Sequence, residues 1–493
     1  MNYRVAILLA VAVLGTSASS RAESVQQSIL GYHGEGGRSG NFLVPALTWD
    51  RVRSLHLDEN FQARVAGHIY AQPLFWRAPG SSADILVVAT EDNIVHALDA
   101  KSGREVWKHS LGRPVQRSSL SCGNISPLGV TGTPAIDDAV QAVYLNAAVE
   151  TSSGPRHLVF ALSLKDGSLL PGWPVDVMDA LGKQKQTFVA RDQNQRGALA
   201  TLAGTLYVPF GGHYGDCGQY HGFVVGIPLS NPQTIRFWAT RARGGGIWAP
   251  GGISTDGKSL FVATGNTFGA RTWSDGEAVI RLAPDLHRSD EKRDFFAPSD
   301  WQVLDARDAD LGGTNPLPLD LAGQGVILAL GKDRNAYLLD RNNLGGIGGQ
   351  LATEIVSERL IITAPAAFPS TDGVFVAFQG QGTHCPPGAH GRGLVALNIR
   401  AGSPPAVATA WCASVQGEGS PIVTTTDGHS NPIVWIVGAE GDNRLHGFRG
   451  DTGEPLFSGP AQPMRGLRHF QTLIATEERL YVAADGTVYA FGF

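Results

Sequence analysis

One short apolar segment recurs eight times along this chain, at residues 86–89, 143–146, 206–209, 260–263, 326–329, 374–377, 434–437 and 480–483, about 56 residues apart. Its copies, among them LVVA, LFVA and LYVA, are apolar on both faces. That is the pattern of a strand covered by a neighbouring sheet on either side. A unit of this length cannot bury such a strand alone and must stack on its neighbours, which leaves a closed propeller or an open solenoid.

The rest of the unit favours the propeller. A second strand follows each buried one and ends in a small–apolar–polar triplet, as at 97–99 (ALD), 161–163 (ALS), 396–398 (ALN) and 447–449 (GFR). A turn and an outer strand come next, clearest at 99–107 (DAKSGREVW) and weaker at 451–457. Before each buried strand lies a Gly/Pro-rich one, as at 132–136 (GTPAI) and 419–423 (GSPIV), where small residues let strands crowd at an axis. Four strands repeated radially are propeller blades. The last unit ends at Phe493 after three strands, and residues 61–65 (FQARV) can supply the fourth. That closure removes the exposed edges an open array would keep. The expectation is an all-β, eight-bladed β-propeller of four-stranded antiparallel blades over residues 57–493, with seven blades as the competing count. The 62 Gly and 28 Pro along the chain agree with frequent turns.

Residues 1–22 read as a secretory leader. Arg4 precedes an apolar run over 5–14, too short to span a bilayer, and Ser20-Arg21-Ala22 fits small-x-small cleavage. Residues 23–56 are then an N-terminal extension. No later segment is apolar for long enough to cross a membrane, so the mature chain is expected to be periplasmic or secreted, without a transmembrane segment. With the leader removed, 37 basic residues face 44 acidic ones, a mild balance that suggests neither nucleic acid nor an anionic membrane as partner. In an oxidising compartment Cys122, Cys217, Cys385 and Cys412 are expected to form disulfides. Cys385 with Cys412, within one unit, is the first pairing to expect, and the connectivity stays open.

The spacing Ala-x-Asp-x-x-x-Gly-x-x-x-Trp over residues 97–107 resembles the tryptophan-docking repeat of the quinoprotein (PQQ-dependent) dehydrogenases. In that family the Trp packs between blades. The repeat also occurs in non-catalytic relatives, including outer-membrane assembly propellers, so it speaks for fold and not for activity.

Four further matches bear on a site. Residues 244–248 (GGGIW) resemble the family segment whose tryptophan stacks on the PQQ ring, which implies Trp248 as an apolar floor for a flat cofactor; a core or rim indole is the other reading. Residues 263–266 (ATGN) resemble the turn whose Asn binds Ca²⁺, here Asn266, although Gly-Asn also simply makes a tight turn. Residues 301–315 resemble the segment carrying the catalytic carboxylate. Asp310 is the match and base, Asp308 its rival, and Asn315 is placed toward the cofactor; a solvated acidic turn is the alternative. Residues 331–341 (GKDRNAYLLDR) resemble the element whose cation reaches the quinone oxygens, which implies Lys332, with Arg334 as substitute. A surface cation on a strand-edge loop is the other reading.

The chain also departs from the family. It has no adjacent Cys pair, Asp216 stands where the Ca²⁺-binding glutamate would fall, and no Cys-x-x-Cys-His haem motif occurs. The resemblance therefore implies PQQ and Ca²⁺ held by Asn266, Asp216 and Asp310, no haem, and a separate electron acceptor. Residues 213–221 (HYGDCGQYH) admit either a disulfide-tied loop or a metal site, and 384–387 (HCPP) fall in the equivalent loop of another unit. Two functions follow: a PQQ- and calcium-dependent dehydrogenase acting on an alcohol, aldehyde or sugar, or a non-catalytic propeller that binds an envelope protein, a glycan or a small ligand.

Overall fold

The eight apolar segments are the second strands of eight blades. The computed structural model describes residues 28–79, 84–387 and 391–493, so the expected leader lies outside the described residues. Blade 1 is Leu74–Arg77, Asp84–Ala89, Ile94–Asp99 and Glu105–Ser110, each strand antiparallel to the next. Blades 2 to 7 repeat the order, with second strands at Ala142–Thr151, Thr205–Gly212, Leu260–Thr264, Gln324–Leu330, Gly373–Phe378 and Ile433–Val437. In blade 8, Leu473–Ala475, Arg479–Ala484 and Thr487–Gly492 are completed by Ala63–Arg64 and His56–Leu57, both antiparallel to Thr487–Gly492. The ring thus closes with the strand the sequence analysis assigned to it.

The tryptophan-docking spacing has a direct steric meaning. Trp107, on the outer strand of blade 1, donates from Nε1 to Leu164 O of blade 2 at 3.0 Å. Its ring lies on Gly167, where any Cβ would come within 2.5 Å of the indole. Trp411 of blade 6 repeats this on blade 7, bonding to Gly450 O at 2.7 Å and covering Gly453. Gly103 of blade 1 is pressed instead by the backbone of Gln62 and Ala63, so the closing strand takes the place of a docking indole. Each glycine is needed because the neighbouring blade occupies the space of a side chain.

Sequence reasoning did not foresee what residues 29–44 do. They run as a strap over the inner ends of six blades. Ile29 N–H donates to Phe75 O, Ile136 N–H to Leu30 O, Thr255 N–H to Gly36 O, Ala367 N–H to Ser39 O and Val423 N–H to Gly40 O, all at 2.7–2.8 Å. Asn41–Leu43 then pairs parallel with Ile422–Thr425 as a fifth strand of blade 7. At the centre of the strap Arg38 is 2 % exposed. It donates to three backbone carbonyls, Leu199 O at 2.6 Å, Tyr32 O at 2.9 Å and Ile253 O at 3.0 Å.

All four cysteines are paired, Cys385 with Cys412 inside blade 6 and Cys122 with Cys217 between the loops of blades 2 and 3. The second bridge joins residues 95 apart in sequence. Its removal in the Cys122→Ser/Cys217→Ser double variant is expected to cost about 2–5 kcal/mol of stability, read as a lower denaturant midpoint with a steeper slope, because the denatured chain loses a cross-link.

Candidate functional site

The site grows from a crossing of two glycine-rich turns. Residues 244–248 pass from blade 3 to blade 4, with Gly244 and Gly245 at φ of +90° and +61°. A Cβ on Gly244 would sit 2.6 Å from Asn266 O. Gly245 N–H donates to Asn266 O at 2.7 Å, and Gly265 N–H donates to Gly246 O at 3.0 Å. This lacing sets the Trp248 indole beside Gly265, whose missing side chain leaves room for the Asp310 carboxylate.

Asp310 reaches that place from blade 5's approach. Helix Trp301–Arg307 stops at Asp308, which takes the left-handed conformation, and a 3₁₀ turn over Leu311–Gly313 follows. Asp310 Oδ1 accepts from the Asn266 backbone N–H at 2.9 Å, and Oδ2 accepts from Trp248 Nε1 at 3.1 Å. Lys332, in the loop after the second strand of blade 5, brings Nζ to 2.7 Å from Asp310 Oδ2 and 2.6 Å from Asp308 Oδ1. The same ammonium lies 5.2 Å from the centroid of the Trp248 ring, a cation–π contact. Trp248 itself is half-buried and Asp310 is 3 % exposed.

Burial pushes the Asp310 carboxyl above its ordinary range, against the pull of the Lys332 ammonium. Burial also works to lower Lys332, but the two carboxylates it touches outweigh that and raise it. A third carboxyl stands behind them. Glu277 is fully buried, accepts from Leu311 N–H at 2.7 Å through Oε2, and leaves Oε1 without a partner. Burial and the nearby Asp310 charge hold its carboxyl well above the usual range. Sequence reasoning missed Glu277. The signal was present: an acidic residue directly before the apolar run 278–280 must enter the blade, where a charge needs a partner or a proton.

Trp248, Asn266, Asp308, Asp310 and Lys332 are therefore brought together, Asn266 through its backbone amide. Two other residues are placed elsewhere. Asn315 lies two residues before the inner strand of blade 5, with its buried Oδ1 toward Gly251 and unpaired. Asp216 accepts from Tyr220 Oη at 2.6 Å. The calcium set of Asn266, Asp216 and Asp310 does not fit this geometry. A carboxylate offers about four acceptor sites, and three donors already occupy Asp310. Calcium takes 6–8 oxygen ligands, and among the described residues no three His, Cys, Asp or Glu side chains converge on a metal position. The loop at 213–221 likewise sends its side chains to separate partners: Cys217 to its disulfide, His221 to Thr240 O, Asp216 to Tyr220. Burial lowers His213 to about 4. The donor set does fit a planar anionic cofactor, with a flat indole face, an ammonium above it and one open acceptor site on Asp310.

Comparison with known proteins agrees with this fold. The family described as outer membrane protein assembly factor BamB matches residues 63–170. No curated protein matches the sequence. The structure is similar to the quinohemoprotein alcohol dehydrogenase from Comamonas testosteroni, at 15% identity and a TM-score of 0.64, covering 94% of this chain and 80% of that one. It is similar to a quinohemoprotein alcohol dehydrogenase from Pseudomonas putida HK5, at 13% identity and a TM-score of 0.65 with the same coverage. BamB from Moraxella catarrhalis aligns at 14% identity and a TM-score of 0.50, over 89% of this chain and 100% of that one. No helix among the described residues is long and apolar enough to cross a membrane. With its docked glycine turns and closed ring of eight blades, the chain shares the β-propeller fold of these dehydrogenases, and its residues 63–170 match the BamB family.

Proposed function

We propose that this protein is an exported quinone-dependent dehydrogenase that holds PQQ against Trp248 and oxidises an alcohol, aldehyde or sugar. The observation that carries the reading is the Lys332 ammonium placed between the Asp310 carboxylate and the Trp248 ring. Burying such a pair gains little stability over apolar packing, so a purely structural propeller has little reason to keep it. PQQ, when bound, supplies the acceptor for the two electrons leaving the substrate. Trp248 gives the ring an apolar floor, and Lys332 offers positive charge where negative charge develops. The open acceptor site on Asp310 takes the substrate hydroxyl and then its proton. Asp308 stays beside Lys332 and keeps the ammonium compensated after Asp310 is neutralised. Two disulfides favour an oxidising compartment. Reduced cofactor would pass its electrons to a separate acceptor protein.

Calorimetric titration of the folded protein with PQQ tests this directly. Saturable binding at one site is expected, unchanged by EDTA because no calcium set is assembled, and lost in Trp248→Ala. Absence of heat from folded wild type would favour the second reading, a ligand-binding or envelope scaffold. The match of residues 63–170 to the BamB family supports that alternative.

A further inference from the structure

Two residues beyond Trp248, on the way to the inner strand of blade 4, Pro250 borders a small cavity on the propeller axis, of about 10 Å³. That is room for one water-sized group. Its floor is Tyr32 of the strap, and its walls come from the segments that lead into the inner strands of blades 1, 2, 3, 4 and 8. Arg196 stands in this wall with its guanidinium 4.4 Å from the centroid of the Phe470 ring. Burial lowers Arg196 to about 10, which leaves it a cation at neutral pH. Yet its Nη2 is buried without a hydrogen-bond partner.

The nearby acids are engaged with other groups. Glu91 accepts from Gly129 N–H at 2.6 Å and Thr131 Oγ1 at 2.7 Å, and Glu440 bonds the His469 ring at 2.9 Å. The remaining polar groups offer protons. The Tyr32 hydroxyl, beside Ser420, is 2 % exposed as a residue and has no partner at hydrogen-bonding distance. Thr133 Oγ1 accepts from Gln72 N–H at 2.9 Å, so its own proton is free to turn into the cavity. A cation and two hydroxyl donors around a space of one small group are the complement of an anion, because buried donors left unmade are costly.

We propose that this axial cavity is a binding site for one small monatomic anion, of halide size, held by Arg196, Tyr32 and Thr133. The site does not depend on whether a quinone binds at Trp248. Thermal unfolding of the folded protein in chloride, bromide or sulfate at matched ionic strength tests it. Chloride and bromide are expected to raise Tm saturably, while sulfate, too large for the cavity, is not. Bromide-soaked crystals should show an anomalous peak in hydrogen-bonding reach of Arg196 Nη2. Tyr32→Phe removes one unpaired hydroxyl and keeps the ring, and should raise the half-saturating concentration about tenfold. Arg196→Gln should abolish the saturable shift. Equal melting in all three salts, or bromide found only elsewhere while the cavity holds water, would overturn the proposal.

Discussion

Asp310→Asn is expected to lower dehydrogenase turnover by about 10²–10⁴-fold, the range for loss of a positioned general base. Asparagine has the same shape, but its one side-chain oxygen can keep only one of the two sides: turned to the Trp248 indole N–H, it sets its NH2 against the Asn266 amide N–H. Lys332 retains Asp308 at 2.6 Å, so the ammonium is not left without a counter-ion. What disappears is the one group placed to take a substrate proton beside the indole. The rate–pH profile gives a readout that a structural role would not move. Burial holds the Asp310 carboxyl above the ordinary value of about 4. Wild-type kcat/KM should therefore rise with pH on an acid limb displaced upward, and that limb should vanish in the variant. Rates are followed with PQQ and an artificial acceptor. Activity of Asp310→Asn within threefold of wild type would remove Asp310 from the mechanism.

Arg38→Met is expected to destabilise the protein by about 4 kcal/mol, because three buried carbonyls lose a charged donor at once and each orphaned acceptor costs about 1–3 kcal/mol. Relief of the guanidinium's own desolvation offsets part of the sum. The carbonyls belong to the strap and to the inner ends of blades 3 and 4, so the loss falls where the strap meets the ring. The measurement is the denaturant midpoint, with Arg53→Met as control. Arg53 is exposed on the same N-terminal segment and should change stability by no more than about 0.5 kcal/mol. Equal midpoints for the two variants would show that the strap is not anchored through Arg38.

The parts of this structure that repeat were legible in the sequence, and the parts that occur once were not. A buried second strand must be apolar on both faces, so its eight copies stand out whatever surrounds them. The Gly103 and Trp107 spacing is equally visible, because each blade presents the same steric problem at its junction. Residues 61–65 could be assigned to the ring because blade 8 lacked a strand. Arg38 carries no such mark. Its partners are backbone carbonyls up to 215 residues away, and carbonyls leave no trace in residue type. Glu277 stands directly before the apolar run 278–280, a position that hints at burial, and its unpaired buried oxygen sets it apart in the structure. Asp310, Lys332 and Trp248 came from resemblance, which also implied a calcium set that this arrangement of side chains does not gather. The Ca²⁺ expectation attached to Asn266 depends on a side-chain oxygen, whereas the structure uses its backbone amide toward Asp310.

The closing of blade 8 also bears on the order of synthesis. Its outer strands, His56–Leu57 and Ala63–Arg64, leave the ribosome among the early residues, but their partner Thr487–Gly492 is made more than 400 residues later. Earlier blades can form one after another as they emerge. The ring cannot shut until residues 487–492 have been made, and until then blade 8's first-made strands have no sheet to join. Non-local pairing of this kind is slow, and open strand edges meanwhile invite association with other chains. A nascent copy of this protein is therefore exposed to aggregation until those residues emerge, and a chain cut short before them would keep that exposure permanently.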